Sequence, residues 1–270
     1  MTEGPRSKSR VRLVCFDAMF TTLRPARGTR KSMIAEIYRQ IGGIDPSVSD
    51  ERLGELILEQ REKQRSFVND ESYWYTVNRG VFLALAGERS GRKSAKVCAL
   101  QVHARITSDP GLYEPDAEVV ALIRALRRDG IRVVLASNQE RASLAGLLDH
   151  HSLHQYFEAE YTSEELGTRK PFPEFWNRIM AIERCRPRGV VHVGNSLNSD
   201  IGAAQLGIRT LIWDPRGHIK ATLERGREER FYHPDMDQEA FTTLLHSGLV
   251  SPFRRAKQGH RLIQAWGGVT

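Results

Sequence analysis

Long apolar runs are missing from this chain: no stretch approaches the ~18 consecutive apolar residues that a membrane-spanning helix needs. The opening segment, Met1-Thr-Glu-Gly-Pro-Arg-Ser-Lys-Ser-Arg10, has no apolar run of the secretion-signal kind. The expectation is therefore an intracellular soluble protein, cytoplasmic or nuclear, with a mitochondrial address left open. Cysteine is scarce. Cys15, Cys98 and Cys185 lie far apart with no Cys-x-x-Cys pair, which suits reduced structural thiols rather than a disulfide framework. No Asn-x-Ser/Thr acceptor occurs, and neither does a Gly-x-Ser-x-Gly elbow, a Gly-x-Gly-x-x-Gly loop or a P-loop. Zinc-finger spacing and aromatic-rich basic repeats are also absent, so nothing motif-like points to nucleic acid.

What is present is a 270-residue chain, 40% hydrophobic, with a net charge of +7. That length suits one large domain, or a core carrying a smaller one. The basic residues are scattered: Arg61, Lys63 and Arg65; Arg89, Arg92, Lys93 and Lys96; Arg254, Arg255 and Lys257. Solvated helix faces are the simplest account of them. Steering of an anionic small molecule, or association with nucleic acid or a ribonucleoprotein, is physically allowed. His150, His151 and His154 include an i,i+4 pair, but no Cys or Glu stands at ligand spacing, so a surface cluster is expected there.

Five short runs read as strands: Val11–Phe16, Arg132–Ser137, Phe157–Tyr161, Val190–Val193 and Arg209–Trp213. Between the first two, Val119, Leu122, Ile123 and Leu126 share one helical face, with Arg127, Arg128 and Gly130 closing the helix. Strand, helix, strand in this rhythm predicts an α/β protein with a Rossmann-like parallel sheet and right-handed crossovers. About a hundred residues separate the first strand from that helix, too many for one crossover. Four helices, Lys31–Ile41, Ser49–Val68, Ser72–Leu85 and Ser94–Thr107, fill the gap. The expected organisation is a core of residues 10–27 plus 111–245, an inserted helical cap at 28–110, and a loosely docked tail at 246–270.

The chemistry gathers at strand ends. Asp17 closes the first strand, and a carboxylate there sits where open α/β sheets bind ligands and can serve as a nucleophile. Ser137-Asn138 closes the second strand, Lys170-Pro171 follows the third, and Gly194-Asn195-Ser196 with Asp200 and Gly202 follows the fourth. If the sheet forms, these meet in one crevice: Asp17 attacks, Ser137 and a backbone amide hold oxygens, and Lys170 neutralises the growing charge. Asp17, Asn195 and Asp200 would hold Mg²⁺. Asp200 would alternatively, or in addition, cap the helix that follows it.

Along residues 11–213 the chain resembles the haloacid dehalogenase-like hydrolase superfamily. Asp17-Ala-Met-Phe-Thr21 matches its first motif, Ser137-Asn138 its second, Lys170-Pro171 its third and Gly194-Asn195-Ser196 with Asp200 its fourth. Phe16-Asp17-Ala18, Tyr73-Trp74 and Gly111-Leu-Tyr-Glu-Pro115 are most similar to the eukaryotic dehalogenase-like domain-containing branch. The resemblance implies an aspartyl-phosphate route, catalytic Asp17, Ser137 and Lys170, Thr21 and Asn138 facing substrate, a helical cap and Mg²⁺. Three positions depart from the pattern. Met19 stands where family phosphatases keep a proton-donating Asp, Phe20 where a Gly allows the turn, and Asn195 where an acidic metal ligand is usual. Three readings follow: a weak or specialised Mg²⁺-dependent phosphatase, a metal-independent dehalogenase whose halide leaves without a proton, and a catalytically impaired binding or assembly partner.

Overall fold

The computed structural model describes residues 11–28, 30–63, 71–86, 94–216 and 247–267. Leu-Val-Cys-Phe forms the first strand, β1 (Leu13–Phe16), with every residue buried. A continuous apolar run of this kind is what a strand covered on both faces requires. β2 (Leu23–Pro25) follows, and pairs with β3 (Tyr113–Pro115) in a two-stranded sheet. Between them lie α1 (Arg30–Gly42), α2 (Asp50–Lys63), α3 (Glu71–Ala86) and α4 (Ala95–Ser108), each starting within a residue of its expected position. The expected end of the second helix, at Val68, lies outside the described residues.

After β3 the chain alternates helix and strand: α5 (Ala117–Arg128), β4 (Arg132–Ser137), α6 (Arg141–His150), β5 (Glu160–Thr162), α7 (Ser163–Leu166), α8 (Pro173–Ile182) and β6 (Val190–Gly194). Then come α9 (Leu197–Asp200), α10 (Gly202–Gln205), β7 (Arg209–Trp213), β8 (Val250–Phe253) and α11 (Ala256–Gly267). α5 begins where Asp116 accepts from the backbone N–H groups of Glu118 and Val119, a cap that stabilises by about 1 kcal/mol. The sheet runs β5-β4-β1-β6-β7-β8, parallel throughout. β1 therefore lies between β4 and β6, at the point where the strand order reverses direction. Ligand crevices open at that point in such sheets.

Leu13, Cys15, Val134, Ala136 and Val190 pack with Phe175, Trp176, Ile179 and Met180 of α8 in one core layer. Alternation turns Val14, Phe16, Val133 and Leu135 to the opposite face. All four are fully buried, and burial of each such side chain stabilises by about 1.5–3 kcal/mol.

The chain divides into two compact units, Met1–Arg24 with Pro115–Thr270, and Pro25–Glu114. Two expectations need correction. The third strand begins at Glu160 rather than Phe157, although the Glu158 amide already donates to the Val133 carbonyl. More important, the described residues of the expected loose tail, 247–267, are a built part of the fold. β8 adds a sixth strand beside β7, and α11 packs on α5 with Ile263 fully buried. Ala256 N–H donates to Glu118, and His260 and Gln264 both bond Asp129. These partners lie more than a hundred residues away, so no local period announces them. Pro252 also disguises the strand, and it is tolerated because β8 is an edge. Of the expected core, residues 217–245 lie outside the described residues. Among the described residues no helix is long and apolar enough to cross a membrane.

Candidate active site

Asp17 leaves β1 with its amide donating to the Val193 carbonyl at 2.8 Å, so it is anchored to the neighbouring strand before the chain turns. The turn is closed by Thr22, whose amide and hydroxyl both donate to the Asp17 carbonyl (3.3 and 2.8 Å), and by Leu23 N–H to the Ala18 carbonyl at 2.8 Å. Phe20 sits inside this turn at φ 59°, the left-handed region that a bulky residue adopts only at a cost. Its side chain is 42% exposed, so it is not a buried plug.

Lys170 is the hub. Its ammonium donates to Asp17 Oδ1 at 2.6 Å and to Asp200 Oδ1 at 2.8 Å, and it is only 3% exposed. Asn138 holds the lysine's backbone at two points: its Nδ2 donates to the Lys170 carbonyl at 3.0 Å, and its Oδ1 accepts from the Lys170 amide at 2.9 Å. Its amide thus helps to place the lysine. Ser137 is buried at the end of β4, and its hydroxyl accepts from the Gln139 amide at 3.2 Å. Thr21 Oγ1 lies 3.5 Å from Asp17 Oδ2 and 3.3 Å from Asn195 Oδ1, two acceptors around one hydroxyl hydrogen.

Asp200 is fully buried and fully used. Oδ1 accepts from Lys170 and, at 2.8 Å, from His192 Nε2; Oδ2 accepts from the backbone amides of Asn195 (3.0 Å) and Ser196 (2.9 Å). Those amides precede it, so Asp200 does not cap the helix after it; Ser196 caps α9 instead. Two glycines make the arrangement fit. A Cβ on Gly194 would lie 2.2 Å from the Asp200 carboxyl, and one on Gly202 would lie 1.9 Å from the Pro171 carbonyl oxygen.

His192 is the member that the sequence reading passed over. It lies inside β6, is fully buried, and its Nδ1 meets the Cys15 carbonyl at 3.0 Å while Trp176 lies beside its ring, centroids 4.4 Å apart. The signal was available: a histidine within Val190-Val-His-Val193, a strand otherwise wholly apolar, must find buried partners. By contrast, His154 is partly exposed and meets Asp149, an exposed carboxylate, at 3.1 Å, and Glu160, a largely buried one.

Burial pushes the Asp17 carboxyl up, and the charge of Asp200 adds to it, against the pull of Lys170. Burial also opposes the charge on Asp200, but Lys170 and His192 outweigh it and hold this carboxyl well below the usual range. Burial works against the Lys170 ammonium too, yet the two carboxylates win and raise it.

Magnesium was expected on Asp17, Asn195 and Asp200. A hard cation needs oxygens with lone pairs to give, ideally anionic ones. A carboxylate offers about four such positions, and Asp200 already fills them with four donors. Asn195 is neutral, and Asp17 Oδ1 is held by Lys170. As arranged, these residues do not fit a magnesium site, and among the described residues no group of three or more His, Cys, Asp or Glu side chains could hold a metal ion.

A carboxylate paired with an ammonium at the switch point of a parallel sheet puts a candidate nucleophile where such sheets bind ligands. The haloacid dehalogenase-like hydrolase family profile matches residues 11–207, and the chain belongs to that family. It is 24% identical to human N-acylneuraminate-9-phosphatase over 216 residues, 76% of this chain and 83% of that protein. To the ribulose-1,5-bisphosphate 5-phosphatase of Halopiger xanaduensis it is 29% identical over 119 residues, 43% of this chain and 49% of the relative. Haloacid dehalogenase-like hydrolase domain-containing protein 3 of Xenopus laevis is 30% identical over 88 residues, 32% of this chain and 36% of that protein. Against the first two of its curated relatives, the chain spans about half of the length or less. Among solved structures, the magnesium-bound HAD-hydrolase YfnB of Bacillus subtilis aligns with a TM-score of 0.63 at 14% identity, covering 94% of this chain and 99% of that one. The L-2-haloacid dehalogenase RSc1362 aligns at 0.57 and 14%, covering 95% and 100%. At these identities the likeness concerns the fold alone.

Proposed function

We propose that the protein hydrolyses small anionic phosphomonoesters through covalent attack by Asp17. The observation that carries this reading is the 2.6 Å contact between Lys170 Nζ and Asp17 Oδ1, which leaves Oδ2 as the attacking oxygen. Oδ2 bonds to phosphorus and the bond to the leaving oxygen breaks, that oxygen keeping the electron pair and taking a proton from water. Lys170 offsets the charge that develops, and the Ser137 hydroxyl donates to a non-bridging oxygen. Water then attacks the phosphorus of the aspartyl-phosphate, which releases phosphate and restores the Asp17 carboxylate.

Proton supply limits the reaction. Met19 carries a thioether, Asp200 is held ionised, and Lys170 is held charged by two carboxylates. General acid catalysis is worth ~10²–10⁴-fold, so esters of weakly acidic alcohols turn over slowly and those with stabilised leaving groups faster. Two of the named relatives, the human and the Halopiger proteins, are phosphatases by name, which favours phosphorus as the electrophile. The magnesium dependence implied by the resemblance is measured in the same assay rather than built into the scheme.

One observation favours a second reading. A halide leaves without a proton, and the saturated Asp200 leaves no metal to lose, so attack of Asp17 on a 2-haloacid is served by the same residues. The test is a panel of aryl and alkyl phosphates and a 2-chloroacid, each with and without Mg²⁺, beside Asp17→Asn. Phosphate release that the variant abolishes supports the proposal. Chloride release alone transfers it to the second reading, and equal behaviour of wild type and variant in every assay leaves a binding protein.

A further inference from the structure

We propose that the N-terminal edge of the parallel sheet, at the opposite end of β1 from Asp17, binds the phosphate backbone of a single-stranded nucleic acid. The inference is independent of the Asp17 reading and goes beyond it. Parallel strands bring their N-terminal ends to one edge, and in this chain arginines stand there on four adjacent strands. Arg132 opens β4, Arg12 precedes β1, Arg188 precedes β6 and Arg209 opens β7. The pairing sets them side by side. Arg12 N–H donates to the Gly189 carbonyl at 2.9 Å, Arg132 N–H donates to the Arg12 carbonyl at 3.3 Å, and Arg209 lies opposite Val191. At about 4.8 Å between neighbouring strands, the row covers about 14 Å. The turn into β6, Arg184-Cys-Arg186-Pro-Arg188, adds two more, and Arg12, Arg184, Arg186 and Arg188 are exposed.

Little acid opposes them. Glu158 bonds Arg132 at 2.8 Å, Glu183 bonds it at 2.6 and 3.0 Å, and Asp129 bonds His260 and Gln264. Arg12, Arg184 and Arg186 have no carboxylate partner among the described residues. Burial first, and the neighbouring charge of Arg188 second, hold the Arg209 guanidinium below its usual value. Two arginine–aromatic stacks flank the row: Arg209 over Trp266 at 5.3 Å beside β7, and Arg124 over Tyr156 at 5.1 Å in the segment that leads into β5. Both rings are partly exposed. Guanidinium forks meet phosphate oxygens in pairs, and accessible rings and guanidinium planes stack on bases. A membrane surface is served less well. Among the described residues, Ile182 alone is an exposed large apolar side chain next to this edge, too little to insert.

The test follows the fluorescence anisotropy of a labelled oligouridylate of about 20 nucleotides with the full chain, from about 50 to 200 mM KCl. Each phosphate met contributes about −0.7 to the slope of log affinity against log salt. Wild type should bind with a slope of about −2 or steeper, as three or more phosphates require. An oligothymidylate should behave alike, since phosphates are what the arginines meet. Arg12→Glu with Arg186→Glu should weaken binding at least about tenfold at the lowest salt and flatten the slope by about 1.4. Arg79→Glu with Lys96→Glu makes the same change of net charge on exposed positions of the helical unit, and should weaken binding by less than about twofold. Should the first pair not fold, Arg184→Gln with Arg186→Gln, both in the turn, should flatten the slope in the same way. Equal weakening by the edge and control pairs overturns the proposal, as does competition by polyglutamate as strong as by unlabelled strand. Wild type that binds phosphatidylserine vesicles but neither strand, or binds nothing, overturns it too. Turnover enters none of these readouts, so failure of the Asp17 reading shows separately, as turnover surviving in Asp17→Asn.

Discussion

The two units of this protein handle charge in opposite ways. In the helical unit, Arg52 meets Glu55 at 3.2 Å and Glu59 at 3.1 Å, and Lys31 meets Glu51 at 3.7 Å, with every one of these side chains about half exposed or more. Such pairs are screened by water and worth about 0–1 kcal/mol each. What holds that unit is apolar: Ile37, Tyr38, Leu53, Leu56, Val77, Val81 and Val102 are buried. In the α/β unit, Asp17, Lys170, His192 and Asp200 are all buried, and each contacts at least one of the others. Charge in the first unit is mainly a solvated coat, with the Arg39–Asp50 pair partly sheltered. In the second it is a closed set in which no member can be removed without stranding another.

That contrast can be broken at its strongest point. Lys170→Met should cost about 3–5 kcal/mol, because Asp17 and Asp200 then lose the buried ammonium that both of them bond. Urea unfolding followed at neutral pH measures it, and a loss under about 1 kcal/mol would place the cluster with the surface pairs. Next in size, Ile263→Ala should cost about 2–5 kcal/mol if α11 is an integral layer of the α/β unit, since the fully buried side chain leaves a cavity. A loose tail would show almost no change in melting temperature. The smallest effect concerns the turn after Asp17. Phe20→Gly relieves a left-handed strain of about 1–2 kcal/mol. It also adds about 0.5–1 kcal/mol of backbone entropy to the unfolded chain. A net gain of between about 0 and 1.5 kcal/mol is expected from thermal unfolding, and a clear loss would mean that the half-exposed ring makes contacts worth more than its strain.

Much of the fold was legible because its signals are local. Apolar runs of four to six residues gave β1, β4, β6 and β7, and helical periodicity gave α1 to α5 to within about two residues at the described ends. α11 was not legible, since its partners Glu118 and Asp129 sit more than a hundred residues upstream, and β8 was hidden by Pro252. The site divides in the same way. Asp17, Ser137, Lys170 and Asp200 could be named because each stands at or just after a strand end in a recognisable order. Asn138 could be named, yet its clamp on the Lys170 backbone could not be foreseen.

By itself, then, the sequence determined the class of fold and the identities of the acid, the hydroxyl and the ammonium that the parallel strands bring to one edge. Only the tertiary structure decided how their charges pair. It pointed Lys170 at two carboxylates, filled all four positions on Asp200, and brought His192 out of an apolar strand to face it. The reason is physical: a hydrophobic period is written in neighbouring residues, whereas the balance of a buried charge depends on every group that folding carries to within a few ångströms.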